Sequence, residues 1–314
     1  YIGENPTPEH NSYLIIHLNF AIIVGGLDDY KHGMDNYCRT QFNYFVDVYS
    51  HLLPEGTKEG LNQQEDAVNQ LNYLCTQSKK SGQKIYLFID EYDHSTNQIL
   101  AHKEHEQRYR IQTHGEGYLR KFFDTIKGAA GDTLARVFVT GVSPVTMDDL
   151  TSGFNIGTNY SLAPEFNEMT GFTEDEVRDM LGYYSSVLPF NHSVDELIKV
   201  MKPWYDNYCF AEEEYGKTTM YNSVMVLNFL DKYIRNNYDI PKNMVESNVR
   251  IDYDKVRMLI RHDKEFAHDA SIIQQLVTQG FVTGKLVENF PAERINDPDN
   301  FLSLLFYFGM VTID

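Results

Sequence analysis

Two adjacent carboxylates, Asp90 and Glu91, follow directly on five residues with hydrophobic side chains in the run KIYLFIDEYDHS at 84–95. A carboxylate on a strand end can hold Mg2+ through bound water, and a second one beside it can polarise a water for attack on a phosphoryl group. That division of labour is a reason for two acids to be neighbours. About 50 residues later a second apolar run, RVFVTGVSP at 136–144, ends in Thr140, whose hydroxyl could bond the attacking water or a terminal phosphate. The two run endings together say more than either alone. Acids also end strands simply to cap the next helix, so the Asp-Glu pair by itself leaves both readings open.

The elements that would position these groups can be read from periodicity. Ile85 to Ile89 is short, β-branched and aromatic, and is bounded upstream by Ser81-Gly82, which predicts a parallel strand covered on both faces. In an open parallel sheet the carboxyl ends of the strands line the ligand crevice, where Asp90, Glu91 and Thr140 would stand. SYLIIHLNF (12–20) reads as another buried strand, apolar spacing predicts helices around 28–53 and 63–80, and the polar residues from Asp93 to Gln112 read as a loop or exposed helix before GYLRKFFDTIKGAA. Strand and helix alternate as βα units up to about residue 165.

Beyond that point helices dominate. Thr173 with Glu176, and Ser193 with Glu196, are capping boxes ahead of apolar periodic stretches, the second disturbed near its end by Pro203. Further helices fit 221–236, 253–263 and 268–279, followed by strand-like GFVTGKLV and LLFYFGMVTI. The expected architecture is an α/β core over 1–165, a helical lid region over 166–250 and a helical module of winged-helix type over 251–314.

Composition narrows the partners. The chain of 314 residues is 42% hydrophobic and carries a net charge of −18, which argues against a broad electrostatic grip on nucleic acid or an anionic membrane. Cys38, Cys75 and Cys209 lie far apart with no paired spacing, which predicts packing roles and a reducing, cytoplasmic setting. YLIIHLNFAIIV is the longest apolar stretch, and His17 and Asn19 break it well short of a membrane span. A dedicated transition-metal set at Asp90, Glu91, Asp93 and His94 is disfavoured, because successive strand-end residues point in different directions. His102, His105 and His114 read as solvated loop residues. Trp204, Tyr205 and Tyr208 read as packing groups. The phosphate-cradling pattern G-x-x-x-x-G-K-[ST] does not occur; Gly216-Lys217-Thr218 imitates its end but has Ala211 where the first glycine belongs.

In order along the chain, LIIHLNF, KIYLFIDEYD, RVFVTGVSPVTMDDLTSGFNIGTNYSLAPEFNEMTGFTEDEV, YDNYCF with MYNSVMVLNFL, and FLSLLFYFGMVTI resemble the AAA-ATPase-like proteins, P-loop NTPases often fused to a C-terminal PD-(D/E)XK-type nuclease. The resemblance implies an α/β P-loop NTPase sheet. It implies ATP and Mg2+ as ligands, with Asp90 and Glu91 as the Walker B pair, Asp90 holding Mg2+ and Glu91 acting on water. Asp93 would be a further acid near the cofactor, and Thr140 with Gly141 the sensor-like strand end. YDNYCF stands where the family tends to have Tyr-Asp-Gly-Tyr, so Asn207 departs from the pattern, although Asn tolerates left-handed backbone.

Family members carry the phosphate loop upstream of LIIHLNF and the nuclease downstream of FYFGMVTI. The present stretch is therefore expected to be an internal fragment with little hydrolysis of its own, and nucleic acid would be met only through a domain outside it. Oligomerisation is compatible with the family. The strand leading into the phosphate loop would lie between the 85–90 and 136–142 strands; without it those edges either leave a gap or close on each other. A different class of reading, a non-catalytic switch or interaction module with a degenerate nucleotide site, is separated from an ATPase by the residue at the phosphate-loop lysine.

Overall fold

Buried and less buried residues alternate along LIIHLN and IYLFID, so each segment turns one side to an apolar layer, as half-covered strands do. In the computed structural model, which describes residues 3–23, 29–94, 117–142, 157–244, 272–291, 294–295 and 297–314, they are β1 (Leu14–Asn19) and β2 (Ile85–Asp90). With β3 (Leu134–Val139) they form a parallel sheet ordered β1-β2-β3. Leu14 stands opposite Ile85, and Phe88 opposite Phe138. The β2 and β3 edges thus close on each other directly.

Among the described residues four helices accompany the sheet: α1 (Tyr30–Val48), α2 (Thr57–Asn62), α3 (Ala67–Lys80) and α4 (Tyr118–Ala129). Right-handed crossovers between strands that advance in one direction put their helices on one face of a sheet. Met34 and Phe42 of α1, Leu71 and Leu74 of α3, and Phe122 and Ile126 of α4 share one core with Ile16 of β1 and with Leu87 and Ile89 of β2. The expectation of strands covered on both faces is corrected here: among the described residues the other face carries Ile15 and Phe138, 41% and 39% exposed, with Tyr86 stacked on Phe88 at 4.1 Å between ring centroids. One polar group aligns three helices. The Asp35 carboxylate on α1 accepts from the Ala67 amide that opens α3, at 2.9 Å, and from the Tyr118 hydroxyl that opens α4.

A second core unites α5 (Glu174–Val187), α6 (Val194–Tyr205) and α7 (Ser223–Arg235) through Val177, Leu181, Leu197, Met201, Phe229 and Tyr233. Both capping boxes form, with the Glu176 amide donating to Thr173 Oγ1 at 3.2 Å and the Glu196 amide to Ser193 Oγ at 3.3 Å. Thr173→Ala removes that acceptor and is expected to lower stability by about 1 kcal/mol, with Thr173→Ser restoring most of it, as read from urea unfolding midpoints. Tyr205 is core and its hydroxyl donates to the Met244 carbonyl at 2.6 Å. Trp204 instead remains 57% exposed in the last turn of α6, beside Pro203.

Two strand-like runs turn out otherwise. LLFY belongs to α9 (Pro298–Tyr307), started by Pro298 in its first turn and buried through Phe301, Leu304 and Leu305 at helical spacing. Left-handed Gly309 ends it, and the Met310 amide reaches back to the Leu305 carbonyl. Gly280, also left-handed, follows α8 (Ile272–Gln279); the 281–287 run then gives its Lys285 and Val287 amides to Asp299 Oδ1 and Ser303 Oγ of α9 rather than to a partner strand. No strand pairing of winged-helix kind occurs among the described residues of this module. The 253–263 helix expectation and the His102, His105 and His114 loop fall outside the described residues.

Candidate functional site

β2 and β3 end side by side, and their last residues meet. Thr140 Oγ1 donates to Asp90 Oδ1 at 2.5 Å, and the Glu91 amide donates to the same oxygen at 3.0 Å. The two apolar runs of the sequence therefore deliver their terminal polar groups to one point at the carboxyl edge of the sheet. Asp90 is half-buried, and its other carboxylate oxygen has no hydrogen bond among the described residues.

Glu91 has φ +53°, a left-handed backbone that a non-glycine residue adopts at a cost of about 1–2 kcal/mol. The reason lies in the ladder. The Thr140 amide donates to the Ile89 carbonyl at 2.8 Å, but the Thr140 carbonyl accepts from Tyr92 at 3.2 Å, skipping Glu91. Regular parallel ladders are evenly spaced, so Glu91 is the extra residue of a bulge, a device that re-aims one side chain at a sheet edge. A short turn follows, with the His94 amide on the Glu91 carbonyl at 3.0 Å.

Asp93 is fully buried, and the Val142 amide donates to its carboxylate at 3.1–3.2 Å from both oxygens. Gly141 makes that approach feasible. A Cβ there would lie 2.3 Å from the Tyr92 ring and 2.6 Å from Asp93 Oδ1. All five sequence candidates, Asp90, Glu91, Asp93, Thr140 and Gly141, stand within this one pair of strand-end loops. Tyr92 and the Val142 amide belong to the constellation too and were not singled out from the sequence. A backbone amide has no sequence signal, and the Tyr92 ring matters only because Gly141 folds against it. Asn19, paired in register with Asp90, is otherwise engaged: its side chain accepts from the Ala21 amide at 2.9 Å.

The remaining sequence candidates lie elsewhere. Lys217 of the Gly216-Lys217-Thr218 imitation pairs with Glu214 at 3.1 Å in a surface turn. Cys38, Cys75 and Cys209 are all buried, and burial raises their thiol pKa values, that of Cys75 to about 12. They pack as protonated thiols. Asn207 does adopt the left-handed backbone, φ +86°, and Asp206 Oδ1 accepts its amide at 2.7 Å. Gly171, φ +94°, has the Tyr221 carbonyl 2.8 Å from where a Cβ would stand, next to a paired Phe172 and Tyr221. Residues 152–156 of the SGFNIG segment lie outside the described residues.

A family model described as "Predicted AAA-ATPase" matches residues 1–151, which contain all three strands and every candidate above from the strand-end loops. Over those residues the chain is similar to the AAA-ATPase-like family. Comparisons with curated proteins and with solved structures found no match. For an AAA-ATPase-like segment the family points to nucleotide binding, and the donor set at the β2–β3 edge is of a kind that suits it. Among the described residues no three His, Cys, Asp or Glu side chains converge as a metal cage. Mg2+ does not require one, since it keeps several waters and takes one or two carboxylates together with phosphate oxygens. A half-buried Asp90 with one oxygen tied down and the other open fits that demand. No helix among the described residues is long and apolar enough to cross a membrane.

Proposed function

We propose that the AAA-ATPase-like segment is part of an ATP-binding, Mg2+-dependent hydrolysis site on a P-loop NTPase sheet, and that hydrolysis in the intact protein moves the α/β core relative to the helical region. The hydrogen bond from Thr140 to Asp90, joining two strand ends beside Glu91, is the observation that carries the reading. Each side chain then has a task. Asp90, oriented by Thr140 and by the Glu91 amide, would hold Mg2+ through its open oxygen, directly or by way of water. Mg2+ with ATP bound would neutralise charge on the phosphates. Glu91, the extra residue of the bulge, accepts a proton from the attacking water or orients it. Thr140 holds the Asp90 carboxylate in place and stands close enough to sense its rearrangement.

The test is the magnesium dependence of ATP hydrolysis by the intact protein. Asp90→Asn is expected to raise the Mg2+ concentration for half-maximal turnover about tenfold or more, because a neutral carboxamide is a poor partner for a hydrated divalent cation. An unaltered Mg2+ titration would separate Asp90 from the metal and leave the proposed site without its anchor.

A further inference from the structure

The Glu91 backbone bonds to Asp90 Oδ1 and to the His94 amide, and its unfavourable conformation is flanked by further contacts between the two strand-end loops that Glu91 itself does not make. On one side of the gap between the two strand-end loops stand Tyr92 and Asp93, immediately after Glu91; on the other stand Thr140, Gly141 and Val142, immediately after β3. Three contacts among the described residues close it: the Tyr92 amide on the Thr140 carbonyl, the Val142 amide on the Asp93 carboxylate, and Gly141 so close to the Tyr92 ring that a Cβ there would meet it at 2.3 Å. Asp93 is 0% exposed. A carboxylate at that depth stands away from solvent, and its bonds to Val142 run between loops rather than toward the open Asp90 oxygen.

We infer that Asp93 and Gly141 are positioning residues of the proposed ATPase, forming a clasp that fixes the Glu91 bulge and so sets where the Glu91 carboxylate points. The inference rests on the proposed hydrolysis reading and adds to it a division among the three acids of DEYD: Asp90 toward the metal, Glu91 toward water, Asp93 toward the opposite loop. Left-handed backbone at a non-glycine residue persists only where its surroundings over-determine it. Loosening the clasp lets Glu91 relax toward ordinary backbone, which swings its side chain away from the Thr140–Asp90 pair without altering either of them. Proton transfer requires hydrogen-bond reach, so such a swing lowers the rate of the chemical step more than it lowers affinity for the nucleotide.

The experiment is steady-state kinetics of the intact protein carrying Asp93→Ala, Asp93→Asn, Gly141→Ala and, as a control on the reading itself, Glu91→Gln. With the clasp in force, Asp93→Ala lowers kcat roughly tenfold or more with KM for ATP within about threefold. Asp93→Asn keeps a carbonyl oxygen for the Val142 amide, so it recovers kcat to within about threefold of wild type, with an unshifted Mg2+ titration. Gly141→Ala mirrors Asp93→Ala from the other loop, and supplies the answer if Asp93→Ala does not fold. Two results overturn the clasp: full kcat in a folded Asp93→Ala or Gly141→Ala protein, or a raised Mg2+ requirement in Asp93→Asn, which would make Asp93 a group that serves the metal. Glu91→Gln separates the two levels. If Glu91→Gln is inactive while Asp93→Ala is fully active, only the clasp fails; if Glu91→Gln is itself fully active, the hydrolysis reading fails first.

Discussion

Glu91→Gln is expected to lower ATP turnover by the intact protein roughly 10²–10³-fold while leaving nucleotide affinity within about threefold. Glutamine matches the size of the glutamate and can still bond a water, but it cannot take a proton at neutral pH. The fold should not notice the change. The Glu91 carboxylate makes no hydrogen bond among the described residues, and glutamine enters the left-handed backbone at φ +53° no less readily than glutamate. Stability is therefore expected to stay within about 0.5 kcal/mol, as for a surface substitution free of packing or bonding roles. A nucleotide-binding titration run beside the turnover assay distinguishes loss of chemistry from loss of the site. Turnover within twofold of wild type would remove Glu91 from the mechanism.

Phe122→Ala carries the largest expected effect on stability. The ring is fully buried on the sheet-facing side of α4, with Phe20 and Phe123 at 6.2 and 6.5 Å between centroids. Truncating it loses the transfer free energy of the ring and leaves a cavity that its neighbours can only partly fill, a loss of about 3–5 kcal/mol. Phe138 supplies the contrast. It sits on the opposite face of the sheet, already 39% exposed, so Phe138→Ala is expected to cost less than about half as much. Urea unfolding of both variants tests the one-sided packing directly. Equal losses would mean that both faces of the sheet are covered in solution. The effect at Phe122 would also reach the site, since α4 leads into β3 and hence to Thr140.

How much of this could be read in advance varies with the kind of interaction. β1, β2, α1 and α3 were legible because short β-branched runs and 3.6-residue spacing report local geometry. Both capping boxes were legible to the residue, since Thr173 with Glu176 and Ser193 with Glu196 satisfy each other within four positions. The C-terminal module was not. FLSLLFYF is apolar enough for either a strand or a buried helix, and the choice went to the helix because Pro298 starts it and Leu304 and Leu305 fall on the same side as Phe301. The 281–287 run lacks a strand partner among the described residues for a reason equally remote in sequence: its amides are taken by Asp299 and Ser303. Trp204 went to the surface while its neighbour Tyr205 went to the core, a choice that residue type alone does not convey.

The sequence by itself determined which residues could do chemistry and on what kind of element they would stand. Two apolar runs ending in Asp90-Glu91 and in Thr140 are strand ends because a hydrophobic strand must stop where its chain meets water, and polar groups mark that edge. Only the tertiary structure decided what those groups do to one another. The pairing of β2 with β3 put Thr140 on Asp90, the extra residue in the ladder pushed Glu91 into left-handed backbone, and burial turned Asp93 toward the Val142 amide. Those three outcomes depend on register and on contacts across some fifty residues of chain, where hydrogen-bond geometry rather than residue type selects the partner.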